Sequence, residues 1–185
     1  MKKNQKWTLF SILGLSLFLL TACGLKLDSE TLTENGGIYK VGDEIWKFKK
    51  DGDVQIYQKD GKPFAQKANY QYKIKDNDSS YQLSLIQDFK QEDKDYKISF
   101  SQVMKIKIPK EDQSIKSFTG TVKSVKVKDV QVESDIPEIK DGLTQNFSSD
   151  TLNKQLEDMV GHKIQFQKQD ADYLKNKQKD NEQSK

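Results

Sequence analysis

The sequence predicts a mainly β protein: an antiparallel meander that rolls into a barrel or half-barrel, then one C-terminal α-helix and a final short strand. Three observations predict it. Apolar and polar residues alternate at period two through most of the chain from Tyr70 to Val132, as in strands with one buried face. Turn-forming clusters punctuate those runs. A single stripe at helical spacing, Leu152, Leu156, Met159 and Val160, follows them.

The chain opens on Met1-Lys2-Lys3-Asn4-Gln5-Lys6, and the uncharged run from Trp7 to Leu20 leads into Thr21-Ala22. That run is shorter than the roughly 20 apolar residues of a membrane-crossing helix. A cationic start, an apolar middle and small residues before a cut site describe a secretory signal peptide, so residues 1–22 are expected to leave the fold. Leu20-Thr21-Ala22-Cys23 then resembles the lipobox of bacterial lipoproteins. The resemblance implies that Cys23 becomes the first residue of the mature protein and carries a palmitate-class lipid anchor through a diacylglyceryl thioether. It also implies residence on the outer face of the cell membrane of a Gram-positive bacterium. Each buried acyl methylene contributes about 0.8 kcal/mol, and two chains anchor stably where one does not. The competing readings are an uncleaved anchor helix, or a conventional signal peptide that leaves a free thiol.

Cys23 is the single cysteine, so disulfides are excluded and the core must suffice. The 31 basic residues are all lysine, against 28 acids; without Lys2, Lys3 and Lys6 the two signs balance. A near-neutral chain with interspersed signs lacks the basic field of a nucleic-acid binder and the polybasic patch of a lipid-surface binder. The absence of arginine also removes the planar fork that grips carboxylate or phosphate.

Residues 23–36, the lipidated cysteine and "GLKLDSETLTENG", are polar and end in Asn35-Gly36-Gly37. They are expected to form a flexible tether that could reach about 40 Å when extended. Past the tether, Tyr70, Tyr72 and Ile74 share one strand face; Tyr81, Leu83 and Leu85 share another; Tyr96, Ile98 and Phe100 a third. Met104, Ile106 and Ile108 alternate with Lys105 and Lys107 until Pro109, which has no N–H for a ladder. Asp51-Gly52, Asp60-Gly61, Asp76 to Ser80 and Glu92-Asp93-Lys94 separate the runs, and glycine accepts the positive φ of a tight hairpin turn. In "SFTGTVKSVKVKDVQVE" the apolar phase flips twice, which predicts a bulge near Lys123-Ser124 and a second bulge or a turn near Lys128-Asp129.

After Pro137 and Asp141-Gly142, the helix is expected over about Ser149 to Val160, capped by Ser148 or Ser149 and stopped at Gly161. "KIQF" offers a last strand, and residues 167–185 read as a polar tail, frayed helix or disorder.

This order of elements, with "IWKFKKDGDVQIYQKDGK" from Ile45 to Lys62 and the following "YQYKI" and "YQLSL", resembles the small lipocalin-like domains of bacterial lipoproteins over residues 37–166. The resemblance implies a calycin-type barrel. The usual Gly-x-Trp start is absent; the tryptophan is Trp46, after Glu44-Ile45. Closure buries the one apolar face and removes exposed edges, and eight strands leave room for side chains or one small ligand. A barrel that crosses the membrane would reverse the faces, and the strands read as shorter than the roughly 9–11 residues needed to cross.

Catalytic motifs are scarce. His162, the single histidine, is the one candidate general base, and an enzyme that used it would need a cleft there with an acidic partner; it sits beside the helix stop, where favourable interaction with the helix dipole equally explains it and is the favoured reading. Zinc sites fail by count, and Asp76, Asp78 and Ser80 lack the glycine and glutamate that complete a calcium loop. No phosphate loop, dinucleotide fingerprint or nucleophile elbow occurs, so neither a cofactor nor an enzyme activity is expected. The aromatics Trp46, Phe48, Tyr70, Tyr72, Tyr81, Tyr96 and Phe100 are the candidate ligand-binding residues. Plain filling of the core competes with that reading and is favoured for a barrel this small. The sequence thus points to a lipid-anchored extracytoplasmic binding module for a small apolar or amphipathic ligand. The alternative is an accessory or immunity-type lipoprotein with a filled core that meets another envelope protein.

Overall fold

A computed structural model describes residues 25–63, 69–111 and 113–183; the segment expected to be a signal peptide and Cys23 lie outside the described residues. Eight antiparallel strands form a closed barrel in sequence order. They are β1 (Ile38–Val41), β2 (Glu44–Phe48), β3 (Asp53–Gln58), β4 (Asn69–Asp76), β5 (Ser80–Glu92), β6 (Lys97–Pro109), β7 (Ser117–Glu133) and β8 (Lys163–Lys168). Closure is made by β8, which pairs with β7 on one side and with β1 on the other, Val41 opposite Phe166. The meander and its turns stand as the sequence indicates: Gly52 and Gly61 take φ of 93° and 81°. Asn77 and Asp93 close the next two hairpins by donating their N–H groups to Ser80 and Tyr96 carbonyls.

Both phase flips in β7 are bulges. Lys105 faces Ser124 while Ile106 faces Val122, which leaves Lys123 as the extra residue; the second slip lies at Asp129, whose φ is 54°. Both keep the valines turned inward along one 17-residue strand. Three strands, β5 to β7, are longer than their apolar runs suggest. β5 and β6 have 13 residues each, because polar pairs such as Lys90 with Ser99 and Glu92 with Lys97 extend the ladder past the barrel rim. The strand-length objection to a membrane barrel is lifted for β5, β6 and β7 alone, since β1, β2, β3, β4 and β8 have 4, 5, 6, 8 and 6 residues, and the faces also oppose one. Leu83, Leu85, Ile106 and Ile108 are buried inside, and Lys73, Lys75, Lys105 and Lys107 are exposed outside.

Two segments differ from expectation, and a third, the tail, takes the helical form of its two expected ones. The supposed tether packs into one end of the barrel: Leu25, Leu27 and Leu32 belong to the core, and α1 (Ser29–Thr33) starts from a capping box between Asp28 and Thr31. Its leucines supply the apolar burial that a solvated linker would forgo. A second helix, α2 (Pro137–Asn146), runs through Asp141-Gly142 instead of breaking there. Pro137 is favourable at its first turn, and Ile139, Leu143 and Phe147 form a half-buried stripe. The expected helix, α3 (Ser149–Leu156), is capped by Ser148 and passes into a 3₁₀ turn, Glu157–Met159. The polar tail contains α4 (Tyr173–Gln183), whose Leu174 packs with Ile38 and Ile45 on the outer face of β1 and β2.

One half of the interior is solid with aromatic rings. Tyr39 meets Phe48, Phe118 and Phe166 edge-on at 5.6–6.5 Å, Phe118 stacks on Phe166 at 4.7 Å, and Tyr72 meets Phe48 at 5.2 Å. Gly120 on β7 leaves room for the Ile106 and Ile108 side chains of β6, since a Cβ there would fall within 2.9 Å of Ile108 Cγ1.

Candidate functional site

The two ends of the barrel are built differently. At one end lie the turn of β4 and β5, the β6–β7 connection and the N-terminal segment. Tyr81 donates its hydroxyl proton to Leu25 O at 3.0 Å, Leu25 N–H donates to Lys110 O at 3.2 Å, and Tyr72 donates to Lys49 O at 3.0 Å while sharing a hydrogen bond of 2.8 Å with Ser29. The strand ends are thereby stitched to the plug. This end is closed, and the groove outside it carries Lys26, Lys50 and Lys73 among Asp28, Asp51 and Asp76.

The other end is open. There the last inward positions of β2, β3, β4, β5 and β6 surround a cavity of about 450 Å³, and Met159 from the 3₁₀ turn borders it. Its apolar wall is Val41, Trp46, Ile56, Leu85, Met104 and Ile164. Its polar groups are few: Glu44, Tyr70, Gln87 and Gln102. The two glutamines are cross-strand partners on β5 and β6, and each continues the inward phase of its strand. Trp46 Nε1–H donates to Glu44 Oε2 at 2.7 Å, which satisfies a buried indole and fixes the carboxylate along the cavity wall. Burial raises the Tyr70 phenol above its ordinary range, with a smaller push from Glu44.

The wall beside the mouth depends on an edge repair. Beyond Thr121, β7 has no partner on β8; Val122 instead accepts from Gly161 N–H and donates to His162 O, both at 2.9 Å. Farther up, the Asn153 side chain takes the neighbour's place at Val127. α3 and the 3₁₀ turn are thereby held so that Leu156 and Met159 reach the core.

Of the seven aromatics singled out by sequence, Trp46 and Tyr70 line this cavity. Phe48 and Tyr72 stand in the filled half, and Tyr81 serves the plug. Phe100 lies on the extension of β6 past the rim, where it stacks on Phe89 at 4.7 Å, and Tyr96 lies in the β5–β6 turn, where it accepts from Gln91 Nε2–H at 2.8 Å. Glu44, Gln87, Gln102, Met104 and Met159 were not singled out. For Glu44, Gln87, Gln102 and Met104 the signal was a polar residue or methionine in the inward phase of a strand; for Met159 it was its place in the apolar stripe that runs from α3 into the 3₁₀ turn. His162 is exposed, and it is not among the residues of the cavity wall. Among the described residues no group of acidic, histidine or cysteine side chains is placed to hold a metal ion, and no described helix is long and apolar enough to cross a membrane. Compared with protein-family models, with curated proteins and with solved structures, the chain matches none.

Proposed function

We propose that the chain is a lipoprotein, held through Cys23 on the outer face of the cell membrane, whose barrel binds a small apolar or amphipathic molecule in the mouth cavity without chemical conversion. The observation that carries this reading is the cavity itself. Its roughly 450 Å³ falls in the range of about 300–1,000 Å³ typical of small-molecule sites, and such sites combine an apolar wall with a few placed polar groups.

The plug supports a particular orientation. A single residue, Gly24, separates Cys23 from Leu25, which is bonded to Lys110 and Tyr81 at the closed end. A lipid on Cys23, two residues before Leu25 in the sequence, ties the closed end to the membrane. The closed end then rests on the bilayer and the mouth faces away from it.

The test is a native mass spectrum of residues 24–185, which hold every described element, after exposure to an envelope lipid extract. A reproducible added mass is expected, lost on denaturation and reduced in Gln87→Phe, which fills the mouth from a half-buried polar position. An unaltered mass in the parent protein would refute binding of any component of that extract. A protein partner is the second reading, favoured by Ile136 and Val160, exposed at 39% and 47% on the segment between β7 and β8.

A further inference from the structure

We infer that the molecule accommodated by the mouth cavity is a cationic amphiphile, an amine or quaternary ammonium head on an apolar body. The inference rests on the proposed cavity function and specifies its ligand class. The lining of the cavity contains one charged residue, Glu44. In a chain with 31 basic residues, no lysine reaches that wall, although lysines line both the groove at the closed end and the shallow depression beside β1 and β8. None of the six ion pairs among the described residues involves Glu44. Its Oε2 accepts from Trp46, and no described group donates to its other oxygen.

A half-buried carboxylate without a cation is a cost that an occupant changes. An uncharged or anionic molecule entering the mouth strips water from Glu44 and returns nothing, or adds repulsion. A cationic head restores the balance. The rings of Trp46 and Tyr70 line the same wall, and aromatic rings attract a cation through their quadrupole. Gln87 and Gln102 supply neutral dipoles at the rim, and Leu85, Met104 and Ile164 receive the apolar body. Methionine is suited to an adaptable contact of this kind.

The experiment uses the intrinsic fluorescence of residues 24–185, in which Trp46 is the sole tryptophan, Trp7 belonging to the removed leader. It is titrated with dodecyltrimethylammonium, dodecanoate and an uncharged dodecyl ether, each below its micelle concentration. The cation is expected to bind more tightly than dodecanoate by about tenfold or more. Glu44→Gln keeps an oxygen that can accept from Trp46 but removes the charge. In it the two affinities are expected to converge to within about threefold, and an unchanged thermal midpoint shows that the variant is folded. Equal binding of all three amphiphiles, or a cation preference that survives Glu44→Gln, would overturn the inference and leave the cavity reading standing. Binding of none of them would overturn both.

Discussion

Asn153 completes the hydrogen bonding of Val127 with its side chain: Oδ1 accepts from the Val127 N–H at 2.7 Å, and Nδ2 donates to the Val127 carbonyl at 3.4 Å. A primary amide has the same donor and acceptor pair as a peptide unit, so one helical residue stands in for a missing strand. This relation blunts the free edge of β7 and moors α3 above the mouth. Asn153→Ala is expected to lower stability by about 1–2 kcal/mol, since it leaves a partly buried N–H and C=O to find water. Asn153→Asp restores only the N–H partner and should fall between the two. Urea unfolding followed by circular dichroism checks both.

The plug can be tested by one methyl-rich side chain. Leu32 is fully buried in the core cluster at the closed end. Leu32→Ala is expected to cost about 2–5 kcal/mol, the range for core leucines. The same change in a solvated tether would stay within about 0.5 kcal/mol. The thermal midpoint of the variant decides between these two roles for residues 25–36.

Tyr39 sits at the centre of the aromatic cluster, and its hydroxyl is buried with no partner among the described residues. Burial, and secondarily the negative charge of Glu34, raise its ionisation well above the ordinary tyrosine range. The folded state therefore holds this proton where the unfolded chain releases it. The stability carried by neutral Tyr39 is complete below about pH 10, the unfolded value, and is lost progressively as pH rises above it. Burial raises Tyr57 and Tyr70 in the same direction. Tyr39→Phe removes an unsatisfied polar atom, so at neutral pH its stability should equal or exceed that of the parent. Its loss of stability above pH 10 should be shallower. Unfolding midpoints at neutral pH and at several alkaline values test this.

Much of the barrel was legible in the residues. Alternation in β4 to β6 and the Asp-Gly turns are short-range signals, and two flips in the valine phase of β7 marked both bulges. What was not legible depends on surfaces that exist only after closure. Leu25, Leu27 and Leu32 are too few to mark a structured segment until an open barrel end is there to receive them. α4 offers only Tyr173 and Leu174 as apolar anchors, and its partner surface is the pair Ile38 and Ile45 on the outside of β1 and β2. α2 was hidden by Gly142, whose cost of about 1 kcal/mol within a helix is offset by the half-buried stripe from Ile139 to Phe147. The candidate site was half visible. Trp46 and Tyr70 announce themselves as inward aromatics, whereas Glu44, Gln87 and Gln102 look like solvent-facing residues until the phase of their strands is followed to the rim.

The proposed orientation on the membrane is measurable by energy transfer. Single labels at exposed Asp78, in the closed-end turn, and at exposed Asp43, beside the mouth, are placed on the lipidated protein in vesicles that contain an acceptor headgroup. Transfer from Asp78→Cys is expected to exceed that from Asp43→Cys. Equal or inverted efficiencies would contradict a base that rests on the bilayer.

The most direct test of the mouth cavity uses its methionines. From Cys23 onward the chain contains two, Met104 and Met159, and both line the cavity. Carbon-13 labelling of methionine methyl groups therefore reports on the site and on nothing else in residues 24–185. On titration with an envelope lipid extract, both signals are expected to shift together and to saturate. If a molecule is retained by mass while neither signal moves, the ligand binds elsewhere and the mouth cavity is not the site.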